Sequence, residues 1–213
     1  MKLKKFGINK ERDLMLTAKL LSMIFNPFYL PVLGMVILFL FSYMIMLPWW
    51  NKILILTVVS CFTILLPTVL INVYRHYQGW THLQLSVKRK RAVPYLISSL
   101  CYLGCIYVMN SLHIPHLMKS ILFAALVLQL VCAVINHWWK ISAHSAATGA
   151  VIGGLLAFAL IFDFNPQWWL CLLLIISGAV GSSRIILRQH TVMEVVGGSI
   201  IGGILTFFVI LFY

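Results

Sequence analysis

A histidine and a glutamate near the start of the last apolar segment carry the clearest chemical signal in the sequence. His190 and Glu194 lie four residues apart, a spacing that places two side chains on the same face of a helix. The carboxylate would accept the proton of one imidazole nitrogen and make the other nitrogen a better nucleophile. Glu194 also has a simpler interpretation, because an acid at a helix N-terminus interacts favourably with the helix dipole.

Basic and hydroxyl side chains come shortly before this histidine. Ser183 and Arg184 are adjacent, and Arg188 lies between them and His190. A guanidinium can bind two oxygens of one phosphate group at the same time. We therefore expect an anion-binding group beside a nucleophile and an orienting acid. The alternative is that the arginines only extend their charged ends toward the membrane surface.

A second polar group precedes the fifth apolar segment. It contains Lys140, Ser142 and His144, followed by small residues. The N-terminus of a helix exposes backbone amides that can bind phosphate, and a histidine there can donate a proton to a leaving oxygen. The alternative for His144 is a hydrogen-bonded structural role.

A third basic group lies earlier in the chain. Lys88 and Arg91 are three residues apart within the sequence Lys-Arg-Lys-Arg. They could face one pocket and bind an anion. A cluster of this kind is equally typical of a cytoplasmic loop that sets membrane topology.

The composition defines the setting in which these groups must be positioned. Of 213 residues, 62% are hydrophobic and only 9% are charged. Such values exclude a soluble globular domain, a disordered chain and a disulfide-stabilised scaffold. The apolar residues form long continuous runs, which also excludes a transmembrane barrel. The net charge of +12 falls in short loops of a chain that is mostly within lipid, so we expect no nucleic-acid partner.

The apolar runs predict an all-α fold, a polytopic transmembrane helical bundle of about six to seven spans. The seven runs are approximately residues 28–47, 53–74, 92–111, 117–136, 146–162, 168–181 and 195–213. Residues 1–27 are predicted to form a basic N-terminal segment with an interfacial helix, and residues 28–213 the transmembrane domain. We expect no cleavable signal peptide, because the first apolar stretch begins too far into the chain.

Loop parity predicts that the three polar groups share one side of the membrane. If all seven segments cross, the loops at 75–91, 137–145 and 182–194 lie on the side of the N-terminus. The basic N-terminus would then make this side cytoplasmic. If residues 28–47 do not cross fully, the site faces the opposite side.

The order and spacing of these groups resemble the type 2 phosphatidic acid phosphatase superfamily. Ser183 to Glu194 resembles its third signature, which reads Ser-Arg, five residues, His, three residues, Asp. Ser142 to His144 resembles its second signature, Pro-Ser-Gly-His. The resemblance covers roughly residues 136–213. Glu194 replaces the family's Asp, and the first signature, a Lys followed by Arg-Pro, is absent as such.

The resemblance implies a core similar to that of the haloperoxidases and assigns roles to individual residues. His190 corresponds to the nucleophile that forms a phosphohistidine, Glu194 to its orienting acid and His144 to the general acid. Phosphate-binding positions would be filled by Arg184, Lys140, Ser142 and Ser183, with Lys88 and Arg91 as further candidates. No metal ion and no other cofactor is implied.

The sequence analysis thus predicts an integral membrane lipid phosphatase. The expected partner is a lipid phosphate in the bilayer: phosphatidic acid, phosphatidylglycerol phosphate, a polyprenyl diphosphate or a phosphorylated lipid A. Short loops suggest a multi-pass protein of a bacterial inner membrane. One alternative is a catalytically inactive lipid- or anion-binding protein or transporter. Another is a metalloenzyme that uses His137, His144 and His190, although no metal-binding motif supports it.

Overall fold

The computed structural model describes residues 2–78 and 92–213, and all regular secondary structure in these ranges is helical. The helices are α1 (Lys2–Ile24), α2 (Leu30–Phe41), α3 (Trp49–Ser60), α4 (Leu66–Tyr77), α5 (Ala92–Ser111), α6 (His116–Trp138), α7 (Ala143–Phe162), α8 (Gln167–Ile186) and α9 (Val192–Phe212). Two short 3-10 turns, Pro27–Tyr29 and Tyr43–Met46, flank α2, and a π-helical turn, Cys61–Leu65, joins α3 to α4.

The predicted polytopic helical bundle is confirmed. Within the described residues, seven helical stretches are long and apolar enough to cross a membrane. The sixth segment, short in the sequence, continues past Gly181 and forms α8 to Ile186. The first stretch, Asp13–Leu40, is interrupted at Asn26, whose side chain accepts the Phe28 N–H and caps the turn that begins at Pro27.

The outer surface of the bundle is apolar, as a lipid-facing surface must be. On α8, Trp168, Leu172 and Ile175 are 85%, 47% and 70% exposed. Water would solvate such side chains poorly, whereas lipid chains can cover them. The chain is therefore an integral membrane protein, and its polar groups must gather inside the bundle or at its ends.

Helices α7 and α9 form the tightest packing in the described part of the bundle, because glycines allow their backbones to touch. A Cβ atom on Gly149 would overlap the carbonyl oxygen of Ser199, and one on Gly202 would overlap that of Ala146. Small residues permit this close approach between membrane helices. The contact fixes the N-terminus of α7, which carries His144, beside the N-terminus of α9, which follows His190.

The apolar core fills the end of the bundle that lies far from these histidines. Its largest fully buried side chains include Met35, Leu38, Met109, Met118 and Leu122. At the other end of the described bundle, a smaller cluster forms around Cys132, Ile141 and Ala146. Between this cluster and the first turn of α2 the bundle is hollow, and the hollow contains the candidate site.

Candidate active site

The predicted pairing of His190 and Glu194 is present, with a distance of 2.8 Å between His190 Nδ1 and Glu194 Oε2. The side chain of His190 is 3% exposed and that of Glu194 is 14% exposed. An ionised carboxylate can only accept a hydrogen bond. Nδ1 therefore carries the proton, and Nε2 keeps a lone pair available for reaction.

Glu194 also caps α9, so it contacts both His190 and the N-terminus of the helix. Thr191 is the N-cap residue: its Oγ1 accepts the Glu194 N–H at 3.4 Å, while Glu194 Oε2 accepts the Thr191 N–H at 3.3 Å. This reciprocal arrangement is a capping box. The same carboxylate oxygen thus holds the helix start and the imidazole, which fixes the orientation of the histidine relative to α9.

The segment before α7 is tied to the segment before α9 by two hydrogen bonds. Lys140 Nζ donates to the carbonyl of Gln189 at 2.6 Å, and the Ser142 N–H donates to the carbonyl of Glu194 at 3.3 Å. Lys140 therefore places its positive charge next to His190, although the two residues are 50 positions apart in the sequence. The two polar groups found in the sequence form one site.

Two serines predicted to bind phosphate have structural roles in the described bundle. Ser142 is fully buried and caps α7, because its Oγ accepts the Ser145 N–H at 3.4 Å. Ser183 is also buried, and its Oγ donates to the carbonyl of Val180 at 2.6 Å. Arg188 lies in the turn between α8 and α9 with a φ of 52° and is exposed. None of these three residues lines the internal cavity.

A cavity of about 360 Å³ opens beside the histidine pair. His144, Arg184 and His190 line its polar end, together with Asn26. The rest of the wall is mostly apolar and comes from α2, α5, α6, α7 and α9. A phosphate at the polar end would contact two imidazoles and a guanidinium, while an attached hydrocarbon chain could extend into the bundle.

Arg184 is held in this end of the cavity by the N-terminal helix. Its Nη1 donates a hydrogen bond of 2.6 Å to Ser22 Oγ of α1, and Ser22 is buried. The contact joins α1 to α8. It orients the Arg184 cation at the cavity. The sequence alone did not indicate this contact with α1.

The pKa of His190 lies below its ordinary value, mainly because burial disfavours the charged imidazolium. The hydrogen bond that His190 donates to Glu194 opposes this shift, whereas the positive charges of Arg184 and Lys140 add to it. The net effect keeps the imidazole neutral near pH 7. A neutral imidazole is the form that can act as a nucleophile.

Lys88 and Arg91 lie outside the described residues. His137 is exposed at the end of α6, where its ring packs edge-on against Trp138. Across residues 2–78 and 92–213, no group of three or more His, Cys, Asp or Glu side chains has the arrangement of a metal site. The grouping of His137, His144 and His190 as metal ligands is therefore not present.

Three polar residues that line the cavity or hold one of its side chains were not predicted from the sequence: Ser22, Asn26 and Gln129. Ser22 and Asn26 precede the first long apolar run, and Gln129 is the single Gln within α6. An isolated amide inside a membrane helix was a usable signal, because such groups are expensive in lipid and tend to face the bundle interior. Ser22 gave no comparable signal, since its contact depends on how α1 packs.

Fold and site together define the class of protein: an integral membrane helical bundle with a hydrogen-bonded histidine–glutamate pair at one end of an internal, mostly apolar cavity. The family model described as the PAP2 superfamily matches residues 114–213. These residues include His144, Arg184, His190 and Glu194. This match confirms the resemblance seen in the sequence and indicates a phosphatase-type activity. Searches of curated proteins and of solved structures gave no significant match.

Proposed function

We propose that the protein hydrolyses a phosphate monoester or diphosphate of a membrane lipid through a phosphohistidine on His190. The observation that supports this most strongly is the buried His190–Glu194 pair at the polar end of the cavity. Its Nε2 is left with a free lone pair beside His144 and Arg184. A transport or storage site for anions would need the cation but not the orienting acid.

In the first step, the Nε2 lone pair of His190 attacks phosphorus and forms a P–N bond. The bond between phosphorus and the leaving oxygen breaks, and His144 donates a proton to that oxygen. Glu194 stabilises the positive charge that develops on the His190 ring. In the second step, water attacks the phosphohistidine, His144 accepts a proton from the water, and phosphate leaves as the P–N bond breaks.

Positive charge near phosphorus would stabilise the transferring group. Arg184 lines the cavity, and Lys140 is anchored next to His190 through the Gln189 carbonyl. Fixed cations of this kind stabilise the charge on the equatorial oxygens in the transition state. In this proposal the cations belong to the chain, and no metal ion is required. Lys88 and Arg91 remain predicted phosphate contacts.

We propose that the reaction takes place at the membrane surface, in a phosphatase domain formed by residues 28–213. Short loops between the apolar segments favour a lipid substrate over a soluble one, because the described chain has little structure outside the bundle to bind a headgroup. On the same grounds we propose a bacterial inner membrane as the location.

The test is release of inorganic phosphate by the purified full chain in detergent with EDTA. The substrates are phosphatidic acid, phosphatidylglycerol phosphate, a polyprenyl diphosphate and a phosphorylated lipid A. His190→Ala should abolish release, whereas His137→Ala, which changes an exposed histidine at the end of α6, should not. Release that persists in His190→Ala would contradict the proposal. Lipid binding without any release would favour the inactive binding protein or transporter.

A further inference from the structure

The wall of the cavity changes from polar to apolar along its length, in the same order as the chemical groups of one class of lipid. On α7, its wall extends from His144 to Phe158, a length of about 21 Å at about 1.5 Å per residue. The polar end carries the histidines and Arg184. The deep end is lined by apolar side chains, among them Ile37, Ile121, Leu155 and Ile210.

A hydrogen-bonded polar pair interrupts the apolar wall between these two ends. Gln129 of α6 and Ser98 of α5 both line the cavity, and Gln129 Nε2 lies 2.7 Å from Ser98 Oγ. Ser98 Oγ donates its single proton to backbone carbonyls of its own helix, that of Pro94 at 2.6 Å and that of Tyr95 at 3.2 Å. It must therefore accept from Gln129, which fixes the orientation of the Gln129 amide.

This orientation leaves Gln129 with donor capacity. An amide NH2 group has two N–H donors, and Ser98 takes one of them. The amide oxygen is directed to the other side of the group, where Ser99 Oγ lies 3.5 Å away. Because Gln129 also lines the cavity, its second N–H can donate to a molecule bound there. In an apolar cavity, an amide donor without a partner is costly.

The depth of the pair indicates which ligand group would meet this donor. Leu128 and Cys132, on either side of Gln129 on α6, form one packed cluster with Ile141 and Ala146. The pair therefore lies about one helical turn deeper than His144. The phosphate would lie at the helix ends, beside His144 and His190. In a diacylglycerol phosphate, an ester carbonyl follows a few covalent bonds after phosphorus, and a fatty-acyl chain follows the carbonyl. A polyprenyl phosphate has only hydrocarbon beyond its phosphate.

We propose that Gln129, supported by Ser98, binds an acyl ester carbonyl of the lipid substrate, and that this contact selects acyl-ester lipid phosphates over polyprenyl phosphates. The inference rests on the proposed function and names its substrate class. Along the cavity, the cation and the histidines come first, the amide donor of Gln129 comes second and the apolar wall comes last. The lipid has its phosphate, its ester and its acyl chain in the same order.

Comparing ester and ether lipids of equal chain length tests this contact alone, because the rest of the substrate is unchanged. Phosphatidic acid and its dialkyl ether analogue differ only in the carbonyls, and a polyprenyl monophosphate serves as the third substrate. We expect the wild-type protein to favour the ester over the ether about tenfold in kcat/KM, the effect of losing one buried hydrogen bond. Gln129→Leu should remove this preference while still hydrolysing the ether lipid, which shows that the variant is folded and catalytically competent.

Ser120→Ala is the matched control on the same helix. Ser120 is buried on α6 and donates to the carbonyl of Leu117, and it does not line the cavity. This variant should keep the ester preference. Equal rates on ester and ether lipids in the wild-type protein, an unchanged preference in Gln129→Leu, or fastest hydrolysis of the polyprenyl lipid would each overturn the inference.

A binding measurement distinguishes failure of this inference from failure of the proposed function. Lipid that binds the folded protein raises its Tm, and this can be measured in His190→Ala protein without turnover. A larger shift with the ester lipid than with the ether lipid, lost when Gln129→Leu is added, supports the inference even if no phosphate is ever released. Equal shifts with both lipids would contradict it, whether or not the protein is a phosphatase.

Discussion

The guanidinium of Arg184 donates a hydrogen bond of 2.6 Å to Ser22, a residue 162 positions earlier in the chain. This contact joins the N-terminal helix α1 to the end of α8, beside the polar end of the cavity. Residues 114–213 match the family model, so Ser22 contributes from outside the matched part. The N-terminal segment of this chain therefore has a direct connection to the proposed phosphate site.

We expect Ser22→Ala to weaken lipid phosphate binding by loosening Arg184. The loss of one hydrogen bond to a charged group should raise KM about three- to tenfold, with a smaller change in kcat. Ser22→Thr should restore much of the affinity, because it keeps the hydroxyl group. The matched control is Thr17→Ala on the same helix, since Thr17 is exposed and bonds only to its own helix. An equal loss in both variants would show a general effect of α1.

The two roles of Glu194 can be separated by substitution. Glu194→Gln keeps an acceptor for the Thr191 N–H, and Gln is an ordinary residue at this position of a capping box. It removes the negative charge that stabilises the His190 imidazolium. We expect kcat to fall about 100-fold or more, within the range for general acid–base and orienting groups, with little change in Tm.

Glu194→Ala removes both roles and should also lower the free energy of unfolding by about 1 kcal/mol, the typical cost of losing a helix cap. Thermal unfolding in detergent and phosphate release measure the two effects independently. Wild-type kcat in Glu194→Gln would contradict the orienting role of the carboxylate.

The pH dependence of kcat/KM should show the lowered pKa of His190. Only the neutral imidazole is nucleophilic, so activity falls as pH drops through the pKa of this group in the free enzyme. Because burial lowers that pKa, the acid limb should lie below pH of about 6.5, the ordinary value for histidine. Glu194 opposes the shift, and Glu194→Gln should therefore move the limb to still lower pH. An acid limb above the ordinary histidine value would contradict this assignment.

The close contact of α7 with α9 predicts a sharp difference between two glycines. An alanine at position 202 would overlap the carbonyl oxygen of Ala146, whereas one at position 178 would meet no atom within 4 Å. Gly202→Ala should lower the free energy of unfolding by about 1–3 kcal/mol, as overpacking does, and should impair activity by moving the two helix N-termini apart. Gly178→Ala should leave Tm and activity near wild type. Equal Tm values for both variants would show that the helices can separate at little cost.

Local spacing explains which parts of the site were predictable. The separation of His190 and Glu194 fits one helical turn, and the Thr191 to Glu194 spacing is that of a capping box. These interactions form within a few residues, so sequence determines them directly. The same holds for the seven apolar segments, where the length of each run decides whether it can cross a bilayer.

Other features depend on packing between distant helices and were not predictable. The sequence favoured Ser142 and Ser183 as phosphate contacts, but the first caps α7 and the second bonds to its own helix. A serine hydroxyl bonds readily to a nearby backbone group, and the motif alone did not show these bonds. Conversely, Gln129 meets Ser98 only because α5 packs against α6.

The central claim, nucleophilic catalysis by His190, is tested most directly by trapping the intermediate. The purified chain would react briefly with a lipid carrying radiolabelled phosphate and then be quenched in alkali and digested. We expect the label on the peptide that contains His190, stable to alkali and lost in acid, and absent from His190→Ala protein. Label on a different residue, or full phosphate release by His190→Ala protein, would contradict the account.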